Sequence, residues 1–548
     1  MALNPNPAPI LIIGGGPVGM ALAMNLDALG MRSVVINTEP QPRWHPKGST
    51  QNARTMEHYR RLGIAAKLRQ LGLPSHHKTD VIYFTRLTGW ELARIRMPSE
   101  DEKMAAVRNA APTDQVPEPI FRCNQMHVEA FLFEHIKTLK TVDVRFGWHC
   151  PDFRQDDEGV SVDIEHVETG RKETLRGSYL AGCDGGQSMV RRKLGIRYGG
   201  GPAAEQAYLG GPMVSTHIRC PELYGRIIRE PRWQYWVVNA QIRANIVAVN
   251  GRDEFLFSTR LQSVDDQPDD RAIQRAFVAA IGEPINVQIV GHWTWTAGNA
   301  LVADKFVEGR VALCGDAVHL FTPAGGFGMN TGIDDAANLG WKLAAMAQGW
   351  GGPKLMESYE LERRPIAIRN TEAAKALGRN IGAVPVDPAI EENSPGGEEA
   401  RRKAGEYLSG FEPEFGSLGV QLGARYDGSP IIVSDGSPPP EDDPVNYVPS
   451  TVPGGRAPHV WLDGRKSLFD MLGNGFTLLH CGESNSSVFE AVPMKRGVPC
   501  KRLDIRFAEA ADLYKSAFVL IRPDRHVAWE GEKIPEDWDV IDSTVIGC

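Results

Sequence analysis

Apolar and polar positions along this chain follow two different periods, and the switches between them mark its organisation. An unbroken apolar run predicts a buried strand at Ile10–Ile13. Helical spacing follows over Met20–Leu29, ended by Gly30, and a second strand is predicted at Ser33–Asn37. Between the first strand and the helix stands Gly14-Gly15-Gly16-Pro17-Val18-Gly19, so the segment opens as a βαβ unit. Thr55–Leu62 and Met126–Leu139 have helical spacing. Val142–Phe146, Gly159–Ile164 and Tyr179–Gly182 read as strands.

From about residue 205 to 295 the period becomes two, clearest in Arg243–Val249 and Glu254–Thr259. Aromatic and β-branched residues are dense there: Trp233, Tyr235, Trp236, Ile246, Val247, Phe255 and Phe257. The pattern predicts a sheet of mostly antiparallel strands, placed as a layer over a substrate. Val311–Ala345 then repeats the opening layout. A strand at Val311–Cys314 runs into Gly315-Asp316 and a loop with Pro323, Gly325, Gly326 and Gly328. A helix follows with Ile333, Ala336, Ala337, Leu339, Gly340 and Leu343 on one side. Helical pattern extends from Asp334 to about Leu377. Val384–Glu399 and Asp435–Pro444 carry the Pro-, Gly- and acid-rich chemistry of linkers. Beyond Pro453, strands at Phe476–His480, Lys501–Ile505, Ala517–Ile521 and Arg525–Trp529, with a Pro523-Asp524 turn before the last, suggest a small α/β domain. No internal repeat is visible.

The 548 residues are 42% apolar and 23% charged, with a formal net charge of −8. That balance is ordinary for a globular chain and argues against a nucleic-acid partner, which calls for a basic face. The eight cysteines are widely spaced, with no CxxC, no metal-ligand spacing and no disulfide framework. No metal is expected, and a reducing, cytoplasmic setting is. Met1–Leu26 has no charged side chain, yet a secretory signal needs a basic start and the first arginine is Arg32. A spanning helix would hold Gly14, Gly15, Gly16, Pro17 and Gly19 at its centre, which is poor helix chemistry. No membrane association is expected.

Three places carry chemistry. In Gly14-x-Gly16-x-x-Gly19, the first glycine permits a tight turn. The second lets backbone approach a pyrophosphate, and the third lets helix and strand pack closely. The acid that usually follows about 20 residues on is replaced by Asn37, since Glu39 precedes Pro40 and falls in a loop. Next comes Asp184-Gly185 within Ala181–Ser188, and then Gly315-Asp316. The amides of Gly326–Asn330 at the start of a helix suit an anion.

In this order the three motifs resemble the class A flavoprotein monooxygenases, the aromatic hydroxylases typified by p-hydroxybenzoate and phenol hydroxylase. Arg122 and Gln125, and Glu362-Arg363-Arg364-Pro365, extend the likeness over residues 8 to 375. The tail resembles the thioredoxin-like C-terminal domain of the larger members through Pro453–His459 and Val527-Ala528-Trp529. Cys481 is followed by Gly-Glu-Ser, so the redox dithiol is missing.

The resemblance implies an α/β fold: a Rossmann-like FAD-binding domain, an inserted mixed β-sheet substrate domain and a C-terminal thioredoxin-like α/β domain. Residues 1–83, 118–204 and 296–380 would form the FAD-binding domain. Residues 84–117 and 205–295 would form the substrate domain, 381–410 a linker and 411–548 the tail domain. The cofactors implied are FAD with NADPH or NADH. Gly14, Gly16, Pro17, Val18 and Gly19 would hold the pyrophosphate, Asn37 the adenosine ribose, and Lys47 would lie near the phosphates. Arg122 and Gln125 would contact the flavin. Asp184 and Gly185 would serve FAD and the nicotinamide cofactor, and Asp316 the ribityl side. Pro323, Gly326, Gly328, Met329 and Asn330 would lie at the flavin's pyrimidine edge, where a helix dipole favours the anionic reduced form.

The activity implied is hydroxylation of a phenolic substrate with O2, through a flavin C4a-hydroperoxide. A polycyclic aromatic in natural-product tailoring, a flavin oxidase or dehydrogenase without oxygen insertion, and a non-catalytic dinucleotide-fold binder are the alternatives. Tyr235, His217 and His292 are the candidates for activating the phenol, each also explicable as a sheet residue. His319 is read as structural. Trp233, Trp236, Trp293 and Trp295 are read as core, with a pocket lining as the alternative. Homo-oligomerisation is left open.

Overall fold

The computed structural model describes residues 8–200, 212–263, 265–296, 300–382, 384, 386–482, 497–505, 510 and 513–548. The domain boundary expected at 204/205 lies outside them.

The apolar runs at Ile10–Ile13, Ser33–Asn37, Val142–Phe146 and Tyr179–Gly182 form strands with those bounds. With Val311–Leu313 they make a parallel sheet, extended at one edge by antiparallel Val307–Glu308. Helix Pro17–Asp27 begins three residues before Met20, because Pro17 has its φ preset for a first helical position. The second half of the glycine motif is therefore the first turn of the helix.

A second sheet of seven strands runs Gln288–Thr296, Pro212–Arg219, Glu254–Arg260, Arg243–Ala248, Arg232–Val238, Lys78–Phe84 and Glu91–Ile95. All neighbours are antiparallel except Arg232–Val238 with Lys78–Phe84. The segment expected to join this sheet from residue 84 thus enters it at Lys78. A two-stranded ribbon, Thr50–Gln51 with Phe121–Arg122, lies where the chain passes between the two sheets.

The helical stretch expected over Asp334–Leu377 is two helices, Phe327–Gln348 and Lys354–Gly382. Gly349, at φ +82°, ends the first, and Pro365 lies inside the second without ending it. The first packs on Pro17–Asp27 at almost no distance. A Cβ on Gly332 would come within 2.6 Å of Val18, and one on Gly340 within 2.8 Å of Asn25. Glycine here serves close packing.

The expected linker at 381–410 is corrected over half of its length by a helix at Pro395–Ser409. Ser394 caps it by accepting from Gly397 N at 3.1 Å, and Ala400, Ala404 and Leu408 are buried. Gly405 sits where a Cβ would be 2.3 Å from Leu92 O, so this glycine also marks contact. Glu412–Gly416 and Leu418–Leu422 follow as short helices, which place the start of the expected tail domain beside the cavity described below. The tail's sheet runs Cys500–Ile505, Phe476–Cys481, Phe518–Ile521 and Val527–Gly531. The first pair is parallel and the others antiparallel.

These units are joined by buried charge. Asp334 accepts from Arg54 Nε at 3.1 Å and Arg363 Nη1 at 2.5 Å, and pairs with His58 Nε2 at 2.7 Å. Burial opposes ionisation of Asp334, but Arg363, Arg54 and His58 hold its carboxyl well below the usual range. Burial and the Arg54 charge push His58 down to about 4, so it is a neutral ring that donates its proton. Asp335 binds His319 at 2.6 Å and Arg363 at 2.7 Å, both fully buried, which is the structural role expected of His319. Glu362 accepts from Lys342 at 2.6 Å, and from Arg522 at 2.7 and 2.8 Å. Arg522 belongs to the tail's Arg522–Asp524 turn, whose Asp524 carbonyl takes a hydrogen bond from Arg54 at 2.7 Å.

Burial alone would raise Glu362, but Arg522 and Lys342 outweigh it and hold the carboxyl at about 2. Breaking such a pair strands the remaining charges in the interior. Glu362→Gln is expected to cost about 3–5 kcal/mol of stability, read by thermal or denaturant unfolding. The unfolded carboxyl titrates near about 4.3, so its stabilisation is complete above that pH and is lost as pH falls towards 2. Glu362→Gln should flatten the stability–pH curve in that window; an unchanged acid limb would contradict the assignment.

Candidate functional site

Register sets the site. Ile13 pairs with Gly182, and Gly182 with Leu313. The three chemical motifs therefore leave adjacent parallel strands at one level, on the carboxyl edge where such sheets bind ligands. Gly14 has φ +108°, and a Cβ there would lie 2.2 Å from Cys183 O. A Cβ on Gly19 would lie 2.0 Å from Gly14 O, whereas one on Gly16 would meet nothing within 4 Å. Two glycines close the turn and the middle one leaves it open. Asn37 braces the turn: its Oδ1 accepts from Gly15 N at 3.0 Å and its Nδ2 donates to Glu39 O at 3.0 Å.

Asn52, Ser99, Asn124, Asp269 and Ser394 each cap a helix with a side chain. Helices Pro17–Asp27 and Phe327–Gln348 have no side-chain cap. Both open on one cavity of about 780 Å³, lined by Gly16, Pro17 and Val18 from one and Phe327, Gly328 and Met329 from the other. The first N–H groups of each helix thus face a space where an anion can take them up.

Of the cofactor candidates, Gly16, Pro17, Val18, Lys47, Arg122, Gln125, Gly185, Asp316, Pro323, Gly326, Gly328 and Met329 line this cavity. Gly14, Gly19, Asn37, Asp184 and Asn330 shape it from behind. Asn330 donates to Gly326 O at 2.6 Å and to Thr50 O at 3.0 Å, and accepts from Asn52 N at 2.9 Å, clamping the loop to the ribbon. Asp184 Oδ2 accepts from Val190 N at 3.1 Å. Its Oδ1 is buried with no hydrogen-bond partner among the described residues. Asp316 is solvent-accessible but sunk in the cavity, and this enclosure raises its carboxyl above the ordinary value. Lys47 Nζ lies 3.7 Å from Glu129, whose Oε1 also accepts from Gln125 at 2.5 Å.

The far wall is the seven-stranded sheet. Directly paired residues share a face, so Gln234, Val247, Leu256 and His217 form one row, and Trp236, Asn245, Ser258, Ser215 and Trp293 another. The row between them, Tyr235, Ile246, Phe257, Thr216 and His292, points to the opposite side. This alternation removes Tyr235 and His292 as phenol-activating residues. Tyr235 Oη instead accepts from Arg232 N at 2.5 Å, and His292 lies 3.7 Å from Asp270. His217 is on the cavity side but beyond the lining, bound to Glu254 at 3.1 Å. Trp233, Trp293 and Trp295 line the cavity; Trp236 is buried core against Tyr83.

Sequence reasoning missed the side of the cavity built by Glu414, Phe415, Ser417 and Gln421. Their only sequence signal was position after an apparent linker. Arg122, at the same end, is buried, stacks 3.8 Å over Trp233 and donates to Thr50 Oγ1. Burial lowers its guanidinium to about 9, with Glu414 pulling it back up. It stays charged at neutral pH.

Comparison with known proteins identifies the family. The FAD binding domain family matches residues 7–374, and the C-terminal family of aromatic-ring hydroxylases matches 450–543. The FAD-dependent monooxygenase apdD of Emericella nidulans is 32% identical, over 96% of this chain and 88% of its own length. Phenol 2-monooxygenase of a Pseudomonas species is 28% identical, over 96% and 90%. The rebeccamycin biosynthetic enzyme RebC, solved with reduced flavin, superposes with a TM-score of 0.87 at 33% identity, over 99% of this chain and 100% of its own. The chain therefore belongs to the family of FAD-dependent aromatic-ring monooxygenases.

Proposed function

We propose that this chain uses NADH or NADPH and O2 to add one oxygen atom to an electron-rich, hydroxylated aromatic of more than one ring. The observation that carries this reading is the breadth of the cavity wall. Its lining residues come from five adjacent strands, Arg232–Val238, Arg243–Ala248, Glu254–Arg260, Pro212–Arg219 and Gln288–Thr296. At about 4.8 Å per strand that wall is roughly 19 Å across, wider than one phenol ring needs. Trp233, Phe415, Trp293 and Trp295 give it flat apolar faces for stacking.

The residues present fit FAD. Gly16 leaves an open cradle, two helix N-termini lack caps, and Asp184 Oδ1 is a buried acceptor in need of a donor. Gly14, Gly16, Pro17, Val18 and Gly19 would hold the pyrophosphate. Asp184 would accept a cofactor hydroxyl, and Asp316 the ribityl side. Arg122, Gln125, Gly326, Gly328 and Met329 would border the flavin ring. When bound, FAD supplies the redox and O2 chemistry that side chains lack. The sheet and the segment at Glu412–Leu422 would wall the bound cofactor's reactive end and limit water there.

We read the tail as thioredoxin-like from its strand order, with one parallel pair at an edge and an antiparallel continuation. Without a dithiol it has a structural job, pressing the Arg522–Asp524 turn into the buried charges around Glu362.

Oxidation of NADH and NADPH over a panel of simple and fused-ring phenols, with product mass, tests the reading. Fused-ring phenols are expected to stimulate oxidation and gain one oxygen atom. Product without added oxygen would point to an oxidase, and a colourless protein that takes up no FAD would point to a binding protein. Gly16→Val is a cleaner test of the cradle. A Cβ there meets no protein atom within 4 Å, so the apo protein should unfold close to the wild-type temperature. FAD affinity should fall by about 100-fold or more, the scale of losing two charge-assisted hydrogen bonds. Asp184→Ala should lower it by about ten-fold. Unchanged FAD retention in both would refute the assigned roles.

A further inference from the structure

We propose that Glu414 is the residue that takes the proton of the substrate's ring hydroxyl. The inference rests on the hydroxylation reading above and supplies the base that Tyr235 and His292 cannot provide from the wrong face of the sheet.

Among the described residues the cavity is lined by two carboxylates, Asp316 and Glu414. Asp316 sits at the strand ends, at the same level as the glycine turn. Glu414 sits at the opposite, aromatic end, between Phe415 and the Gly325–Gly326 bend that starts helix Phe327–Gln348. Its residue is 8% exposed. Oε1 accepts one long hydrogen bond, from Gly325 N at 3.4 Å. Oε2 accepts none among the described residues, and it is not sealed from the cavity. A buried carboxylate oxygen without a partner, facing a cavity, calls for a donor.

The charged group acting on it is Arg122, from the ribbon, whose guanidinium carbon lies 3.8 Å over the Trp233 ring and which makes no ion pair within 4.0 Å among the described residues. Trp233 in turn meets Phe415 edge to face at 6.3 Å. An aromatic ring entering here meets the Trp233–Phe415 pair as an apolar wall, with its hydroxyl near a proton acceptor and a fixed cation. Burial pushes the Glu414 carboxyl up to about 7, against the Gly325 N–H and Arg122. A base poised near the working pH is the efficient choice.

The step balances without an external reagent. The substrate O–H bond breaks, its electron pair stays on oxygen, and the proton adds to Glu414 Oε2. The phenolate charge faces Arg122 and enriches the ring for attack on oxygen. As the oxygenated ring regains aromaticity it releases a proton, and Glu414 returns to the carboxylate on handing its own to solvent.

His45 is the rival base on the lining, packed on Trp293 at 5.0 Å. Wild type, Glu414→Gln, Glu414→Asp and His45→Ala separate the two. With a phenol that wild type oxygenates, oxygenation per NAD(P)H consumed should rise with pH through about 7, as the carboxylate forms. Glu414→Gln should lose that limb, with onset moving towards the phenol's own value of about 10, and coupling should fall at least ten-fold. Glu414→Asp should restore the limb, His45→Ala should retain it, and FAD content should stay constant throughout. A turnover-free readout uses 4-nitrophenol bound to the holoenzyme. Its phenolate band should titrate in two coupled steps in wild type and in one in Glu414→Gln. Identical nitrophenol titrations, or a Glu414→Gln enzyme with the wild-type limb and coupling, would overturn the proposal. If no phenol is oxygenated but the two titrations differ, the hydroxylation reading fails while the proton-acceptor assignment stands.

Discussion

The pairing of Ile13 with Gly182, and of Gly182 with Leu313, is the constraint from which the site follows. Parallel strands cut at one level place their exits side by side, so loops 170 and 300 residues away from the first glycine turn become its neighbours. Two of the helices that follow these exits, Pro17–Asp27 and Phe327–Gln348, pack against each other where Gly332 meets Val18 and Gly340 meets Asn25. Neither helix has a side chain over its first N–H groups. The protein keeps two partial positive charges unquenched at one cavity, an arrangement that makes sense for an anionic cofactor.

Holding those helix ends needs rigidity elsewhere, and the molecule supplies it with charge. Asp334 and Asp335 lie on the same helix that carries Phe327–Asn330 at its start, and they bind Arg54, His58, His319 and Arg363. A buried ion with this many partners tolerates little movement, since any displacement leaves a charge without compensation. Arg522 extends the network into the tail domain. The tail contributes charge to this network at more than one point: Arg522 and Asp524 on its turn, and Arg456, which pairs with buried Glu57 at 2.5 Å.

The seven-stranded sheet sets which side chains can reach the cavity. Its alternation is strict enough that Tyr235 and Trp236, one residue apart, have unrelated roles. The bulge between Arg232 and Gln234 turns Trp233 onto Arg122 and into the cavity. Opposite, the short helices from Glu412 to Leu422 close the space. Gln421 Oε1 accepts from Ala53 N at 3.0 Å, and Glu414 reaches the Gly325 bend.

Local pattern was enough to read the core strands, the open glycine turn and the three motif loops, because each depends on residues adjacent in the chain: apolar runs, a glycine where backbone must turn, a proline at a first helical position. Composition misread Pro395–Ser409, since its glycines and proline also suit a capped helix in tight contact. The burial of Asp334, Asp335 and Glu362 was not legible, for nothing within a few positions of them announces the partners that neutralise them. Chain sequence alone thus determined the parallel nucleotide-type sheet, the cofactor-facing loops and the family they resemble. Tertiary structure decided which face of the sheet meets the cavity and which acids line it, because strand register and the burial of one carboxylate depend on segments hundreds of residues apart.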